Sequence, residues 1–216
     1  MTEKVGELNL KDMKPATNFD FTKKAILEDD RAILRPLEYS DFENLIQFSQ
    51  TEPELWKYSL VQAIGEKGLR NYINMAVEAR DANKEYPFIV FDKLKNNYAG
   101  STRFYDIQLI NKCLQLGYTW YGRHFQGTGL NKHCKYLLLE FAFEVMGMER
   151  VELRADTQNE RSIAAMKSIG CQEEGVLRST GLRRDGVRRD SIVLSVLRDE
   201  WKNSVKENLK NKLINL

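Results

Sequence analysis

The spacing of hydrophobic positions in the first third of the chain alternates between strand-like and helical. AILRPL at 32–37 has the composition of a short strand, and YSDFENLIQFSQ at 39–50 follows with helical spacing. Ser40 and Glu43 have the spacing of a capping box, which predicts the start of that helix. GLRNYINMAVEARDANK at 68–84 predicts a second helix.

From residue 86 the apolar runs become shorter and are separated by polar turns. Strands are predicted at 86–92, 98–107 and 113–122, and their short connections favour an antiparallel meander. The next stretch, 130–145, carries apolar residues mostly three and four positions apart. That spacing predicts a helix with one apolar face.

The last third of the chain returns to alternation and ends in a hairpin and a helix. RVELRAD at 150–156 alternates as a strand does, and Asn159 is placed to cap a short helix after it. Two further strands flank Asp185 and Gly186, a pair that favours a type I′ turn. Residues 201–216 predict a terminal helix.

This order of elements predicts an α+β fold with a mixed central sheet flanked by helices. The meander supplies antiparallel strands, and the strand–helix–strand passage over 115–155 predicts one parallel crossover. The 216 residues suit a single domain, expected over 25–200. Residues 1–24 are expected to be a polar lead-in segment, and 201–216 a C-terminal helix.

Composition and charge exclude several classes of protein. A net charge of +2 is too small for a dedicated nucleic-acid binder. No apolar run approaches the ~18 residues that span a bilayer. The polar N-terminus lacks the apolar stretch of a signal peptide, so we expect a cytoplasmic protein without a membrane partner. The three cysteines form no C-x-x-C pair, so neither a metal site nor a disulfide framework is expected.

Gly127 and Gly129 lie immediately before the apolar helix at 130–145. Glycines at a helix N-terminus let an anion approach unpaired backbone N–H groups, as in phosphate-binding loops. The P-loop pattern fails because Thr128 stands where lysine is required, and the Rossmann pattern fails at Lys132. A tight strand-to-helix turn is the plain alternative.

A third pattern fits this loop. QGTGLN at 126–131 resembles the Q/R-x-x-G-x-G/A signature of the GCN5-related N-acetyltransferase superfamily, with Asn131 as its one departure. N-E-R-S at 159–162 and G-C-Q-E-E-G at 170–175 follow in the order typical of its ribosomal-protein alanine N-acetyltransferase branch. The resemblance covers about residues 30–200, and it implies that 25–200 is an N-acetyltransferase domain.

The resemblance implies transfer of an acetyl group from acetyl-CoA to a primary amine by direct attack, without a covalent enzyme intermediate. The acceptor it implies is a protein N-terminal amine, ribosomal or other, and a homodimer stays open. The residues it assigns to the cofactor are Thr119, Trp120, Tyr121, Gln126, Gly127, Thr128, Gly129, Leu130, Asn131, Lys132, Asn159 and Ser162.

Two of these residues are also assigned catalytic roles. A backbone N–H of the segment around Trp120 would face the thioester oxygen. Many family members place a tyrosine at position 166 to assist the leaving thiolate, but this chain has Met166. Ser162 is then the expected donor to sulfur, although a serine in a first helical turn can equally bond its own backbone.

The general base is less well defined by the sequence. Candidate carboxylates are Glu152, Asp156 and Glu174, which a solvated charged face explains equally well. A peptide amine with a pKa near ~8 does not demand a strong base. His124 is read as a loop residue and His133 as a helix-surface residue.

Residues 40–80 are expected to shape the acceptor site, with Trp56 and Tyr58 as walls. Three alternatives to an N-terminal acetyltransferase stay open. The first is a coenzyme A-binding sensor or scaffold without turnover, and the second is an acetyltransferase for small-molecule amines. The third is an RNA-binding protein, which rests on a cluster of arginines at positions 161, 178, 183, 184, 188 and 189.

Overall fold

One mixed sheet runs through the computed structural model, which describes residues 8–9 and 19–214. Its nine strands lie in the order β1-β2-β3-β4-β5-β6-β7-β9-β8. The predicted lead-in lies outside the described residues except for 8–9 and 19–24. The strands are β1 Leu8–Asn9, β2 Ala25–Glu28, β3 Ala32–Pro36, β4 Tyr86–Asp92, β5 Asn97–Gln108, β6 Cys113–Tyr121, β7 Arg150–Asp156, β8 Gln172–Leu182 and β9 Arg188–Leu197.

Helices flank this sheet, as the periodicity predicts. They are α1 Phe42–Thr51, α2 Gly65–Asp81, α3 Leu130–Glu140, α4 Glu160–Ser168, α5 Arg198–Glu200 and α6 Lys206–Ile214. Widened turns at Phe141–Val145 and Trp201–Val205 extend α3 and join α5 to α6. Within the described ranges, no helix combines the length and apolar character needed to cross a bilayer.

The C-terminal helices pack onto the turn that follows α3. Trp201 is fully buried, and its ring stacks on Phe143 with centroids 5.7 Å apart. The indole N–H donates to Glu144 Oε1 at 2.8 Å. Because this burial removes a large apolar side chain from water, the terminal helix is held against the domain.

The predicted fold class is confirmed. Strands β4, β5 and β6 form the antiparallel meander, and β6 pairs with β7 in parallel. The sequence analysis missed β2, which forms a hairpin with β3. Ala25 N–H donates to the Tyr86 hydroxyl at 2.8 Å, and that hydroxyl donates to Lys23 O at 2.7 Å. This four-residue strand depends on distant partners that no local pattern reveals.

The predicted start of α1 is wrong. A tight turn, Tyr39–Asp41, precedes the helix, and Ser40 lies inside that turn. The Asp41 carboxylate accepts the backbone N–H of Glu38 at 2.9 Å and the guanidinium of Arg35 at 2.6 Å. Asp41 is buried and occupies the N-cap position of α1, but its carboxylate closes the turn that starts at Glu38 and makes no cap bond to the helix.

The hairpin turn between β8 and β9 also differs from its prediction. Gly186 has a φ of 79°, but Asp185 is not in the left-handed region that a type I′ turn requires of both residues. Arg183 N–H donates to Val187 O at 2.9 Å, which closes a longer loop. The turn residue Gly186 is therefore as predicted, and the turn type is not.

Strands β6 and β7 separate halfway along their length. Their parallel pairing ends at Gln115 and Glu152, although β7 continues with β9 to Asp156 and β6 continues with β5 to Tyr121. The pairing of β6 with β5 is irregular between these points, and Tyr118 there has a φ of 49°. A bulge bends its strand, so β6 turns away from β7 and opens a cleft.

Candidate active site

A cavity of about 430 Å³ occupies this cleft. Its walls include the second half of β6, the end of β7, the start of β9, α4 and the segment 55–60 between α1 and α2. The predicted site residues on its wall are Thr119, Trp120, Tyr121, Gln126, Gly127, Asn131, Asn159 and Ser162. The other predicted residues, Thr128, Gly129, Leu130 and Lys132, lie beside the cavity within the same loop and helix start.

The glycine loop exposes backbone donors. Gly127 and Gly129 have φ values of 73° and 86°, a region that glycine enters without steric penalty. Among residues 19–214, no acceptor atom pairs with the backbone N–H groups of 127–131. Thr128 is held from outside, because Arg31 donates to its carbonyl oxygen at 3.3 Å. Unpaired N–H groups at a helix N-terminus form a site for an anion.

Gln126 connects the loop to both sides of the cleft. Its Nε2 donates to Tyr121 O at 2.7 Å, and its Oε1 accepts from Arg161 on α4. Leu130 is fully buried, so only its backbone is available to a ligand. The loop is therefore positioned by side-chain contacts while its own N–H groups stay free.

The start of α4 presents a serine hydroxyl to the cavity. Asn159 Oδ1 accepts the backbone N–H of Ser162 at 3.2 Å, which confirms the predicted helix cap. In the described part of the chain, Ser162 Oγ has no hydrogen-bond partner, so it does not bond its own backbone. Met166, one turn later, is buried and lies on the same wall.

The Trp120 ring belongs to the core. It packs against Phe48, Trp56 and Tyr72, with centroid distances of 5.9, 5.2 and 6.4 Å. Its indole N–H is buried and has no partner among the described residues. Packing of the ring on neighbouring aromatics is the structural role that the sequence leaves open for it.

The backbone of β6 alternates between β5 and the cleft. Gly122 N–H donates to Ala99 O at 2.9 Å, and Trp120 lies opposite Ser101. In an antiparallel ladder, alternate residues point their N–H and C=O groups to the same neighbour. The N–H of Trp120 therefore faces β5, and that of Tyr121 faces the cleft.

Lys135 was missed by the sequence analysis. Its side chain is 5% exposed, and Nζ donates to Thr119 Oγ1 at 3.0 Å on the cavity wall. Burial lowers the pKa of Lys135 to about 8 and raises the pKa of the neighbouring Cys134 and Cys171 thiols to about 12. One feature of the sequence could have indicated that Lys135 is buried. It lies one helical turn before Leu139, which is fully buried.

Two of the three candidate base carboxylates are engaged by arginines. Glu174 accepts from Arg150 and from Ser195 Oγ, and these hydrogen bonds lower the pKa of Glu174 to about 2. Glu152 pairs with Arg150 at 2.8 Å and with Arg154 at 2.6 Å. A carboxylate with a pKa as low as that of Glu174 is a weak proton acceptor, and Glu152 is held by two arginines.

The remaining candidates are Asp156, His133 and His124. The first two contact other side chains, and the third lies outside the cavity. Asp156 is buried, and both of its oxygens accept from Arg183, at 2.6 and 3.0 Å. His133 was predicted on the helix surface, but it is buried because its Nδ1 lies 2.7 Å from Asp29 Oδ2 in the loop that covers α3. His124 is exposed outside the cavity.

The predicted arginine cluster does not form one surface patch. Arg178 and Arg184 are exposed, whereas Arg189 is buried in the cavity wall. Arg189 Nε donates to Ser191 Oγ, and its Nη1 donates to Tyr58 O, both at 3.0 Å. Burial lowers the pKa of Arg189. The cluster behind the RNA-binding alternative is therefore divided, with one of its six arginines buried in the cavity wall.

Comparisons with known proteins agree with this geometry. Residues 31–172 match the acetyltransferase (GNAT) domain. A Bacillus subtilis (strain 168) protein provisionally named a ribosomal N-acetyltransferase, YdaF, is 32% identical over 102 residues, which are 47% of this chain and 55% of YdaF. The chain thus spans about half the length of that relative.

Solved structures share the fold over most of the chain. One from T. thermophilus, provisionally described as an acetyltransferase, has a TM-score of 0.78 at 30% identity, covering 87% of this chain and 96% of that one. Mycobacterium smegmatis RimJ, solved in complex with CoA-disulfide, has a TM-score of 0.75 at 16% identity, covering 88% and 93%. At that lower identity the likeness concerns the fold alone.

Proposed function

The chain belongs to the GNAT family of N-acetyltransferases, and from that premise we propose that it transfers an acetyl group from acetyl-CoA to the N-terminal amine of a protein. One observation carries the proposal. A loop of unpaired backbone N–H groups at 127–131 opens directly onto a cleft between two separated strands. The protein acceptor is supported by the name of YdaF.

The residues present fit coenzyme A. The N–H groups of 127–131 and the positive end of α3 suit a diphosphate, and Arg161 beside Gln126 adds positive charge. The cleft-facing edge of β6 after Gln115 has no strand partner in the described chain, so it can pair with an extended arm. The bound cosubstrate supplies an acetyl thioester at the end of that arm.

The backbone of β6 orients this thioester. We place the hydrogen-bond donor to its carbonyl oxygen at Tyr121 N–H rather than at Trp120, because the Trp120 N–H faces β5. A fixed donor at an oxygen that gains negative charge stabilises the transition state. The Trp120 ring holds this strand by packing against Trp56 and Tyr72.

Two side chains assist the departing sulfur. As the acceptor nitrogen bonds to the carbonyl carbon and releases a proton to water, the carbon–sulfur bond breaks and sulfur takes up a proton from water. Met166 has no proton to donate, so we assign hydrogen bonding at sulfur to the free hydroxyl of Ser162. The buried ammonium of Lys135 lies on the same wall and adds positive charge opposite the thiolate.

No strong base is assigned. Every candidate carboxylate is balanced by arginine, as described for Glu152, Asp156 and Glu174. A peptide amine with a pKa near ~8 is partly neutral at pH 7, and it can lose its proton to water before attack. We therefore expect the rate to rise with pH as the amine loses its proton, and to fall at higher pH once Lys135, with a pKa of about 8, loses its charge.

Peptide acetylation tests the proposal. Purified protein is incubated with acetyl-CoA and peptides that have a free N-terminus, an N-terminus already acetylated, or a free lysine behind a blocked N-terminus. Thiol release and the added acetyl mass are expected only with the free N-terminus. Acetylation confined to the lysine side chain, or to small-molecule amines offered in parallel, would overturn the assignment of the acceptor.

A further inference from the structure

A buried guanidinium lies in the part of the cavity wall that β9 forms, outside the glycine loop. Arg189, near the start of β9, is 8% exposed, and its two hydrogen bonds go to neutral atoms, Ser191 Oγ and Tyr58 O. In residues 19–214 no carboxylate lies within ion-pair distance of Arg189. Buried charges in proteins are normally paired, so an unpaired arginine in a cavity wall calls for a partner.

The neighbouring charges do not supply that partner. Asp156 lies on the same wall, but both of its oxygens are held by Arg183. Arg154, also on this wall, adds positive charge and pairs outside the cavity with Glu152. This part of the cavity therefore presents net positive charge to whatever enters it.

This part is separate from the loop that suits the cosubstrate diphosphate. Arg189 is bonded to Tyr58, in the segment between α1 and α2, and has no bond to 126–131 or to α4. The contact between α4 and the loop is made by Arg161, which donates to Gln126, whereas the start of β9 pairs with the end of β7. The strand β6, whose backbone we assign to the thioester, lines the same cavity.

We propose that Arg189 binds a carboxylate carried by the acceptor, a few bonds from the amine that is acetylated. This inference rests on the proposed acetyltransferase function and adds the substrate class. The guanidinium uses one Nε and one Nη1 donor within the fold. Its Nη2 edge stays available, and a planar guanidinium recognises carboxylates through parallel N–H donors.

Two sources of such a carboxylate exist, an acidic side chain near a protein N-terminus and the α-carboxylate of a free amino acid. Matched pairs of acceptors, with and without the carboxylate, distinguish these two sources. One pair is two peptides that differ only in Glu or Gln at the second position, and the other is an amino acid and its amide. Activity is measured as thiol release over a range of acceptor concentrations, and the readout is the acid-to-amide ratio of kcat/KM in each pair.

We expect a ratio of roughly tenfold or more in the pair that matches the natural acceptor. Arg189→Gln should bring that ratio close to one, and Arg189→Lys should give an intermediate value because it keeps the charge but loses the planar donors. Arg184→Gln is the matched control, since it removes the same charge from an exposed position on the hairpin. It should leave the ratio unchanged.

A wild-type ratio near one in both pairs would overturn the proposal, and so would a ratio that survives Arg189→Gln. Calorimetry with coenzyme A adds a second readout, because loss of cosubstrate affinity with an unchanged ratio would place Arg189 in the other site. If no amine is acetylated at all, the proposed function fails instead. Binding of the acid and amide peptides, measured with coenzyme A present, then still decides the role of Arg189.

Discussion

Replacing Lys135 by methionine should stabilise the free protein at neutral pH. The Lys135 ammonium is buried, and the thiols of Cys134 and Cys171 beside it are neutral because burial raises each pKa to about 12. Burial lowers the pKa of Lys135 from 10.5 to about 8. At ~1.4 kcal/mol for each pH unit, that difference destabilises the fold by about 3 kcal/mol.

The effect has a defined pH window. Below pH 8 the folded and unfolded chains both carry the proton, so the fold bears the whole cost of the buried charge. Between about 8 and 10.5 the folded chain has released the proton and the unfolded chain has kept it, so wild-type stability rises with pH. The stability advantage of Lys135→Met should therefore narrow through this window and vanish above it.

Methionine matches lysine closely in length and leaves no unpaired partner, because Thr119 Oγ1 keeps its 2.7 Å hydrogen bond with Thr102. We expect urea unfolding at pH 7 to show a gain of up to about 3 kcal/mol, which corresponds to roughly 6–12 °C in Tm. Lys67→Met, which removes an exposed lysine, is the control and should change little. A variant less stable at pH 7, or an advantage independent of pH, would refute the desolvation argument.

The same substitution should slow turnover. The positive charge that destabilises the free fold is the one we place opposite the departing thiolate, so its removal should lower kcat by roughly tenfold or more. Stability and activity would then change in opposite directions, as happens where a site stores unfavourable charge. An unchanged kcat in steady-state thiol-release assays would mean that Lys135 takes no part in the reaction.

Three other substitutions test the rest of the site. Asn131→Asp places a negative charge at the start of α3, where it is favourable for the helix but repels a diphosphate. Calorimetry should show that this variant binds coenzyme A at least tenfold more weakly than Asn131→Ala does. Equal affinities of the two variants would contradict the anion site. Ser162→Ala should lower kcat more than coenzyme A affinity, and equal losses would make the hydroxyl a binding group. Glu174→Gln should keep most activity from pH 6 to 9, because a carboxylate with a pKa of about 2 is a poor base; a steep loss of kcat would restore Glu174 as the base.

Much of the fold can be predicted from the sequence because the features that determine it are local. The alternation of β7, the apolar face of α3 and the Asn159 cap each depend on residues within one or two turns of one another. The spacing of Gly127 and Gly129 likewise requires only a strand before and a helix after. These features therefore predict the same elements that the structure contains.

Features set by distant contacts were not predictable in this way. Strand β2 depends on β3 and on the Tyr86 hydroxyl, more than fifty positions away in the chain. The direction of each N–H along β6 depends on which residues pair with β5, and so on the bulge near Tyr118. No periodicity in a single strand contains that information, because register is a relation between two strands.

What the sequence by itself determined is the order of elements from β3 to β9, the glycine loop and the family. The tertiary structure alone decided which charged residues are buried without an ion-pair partner among the described residues. Lys135 reads as a helix lysine and Arg189 as one of several hairpin arginines, yet packing turns both into the cavity. Burial is a property of all the surfaces that meet at a residue, so the two charges that distinguish this site become visible only in the folded chain.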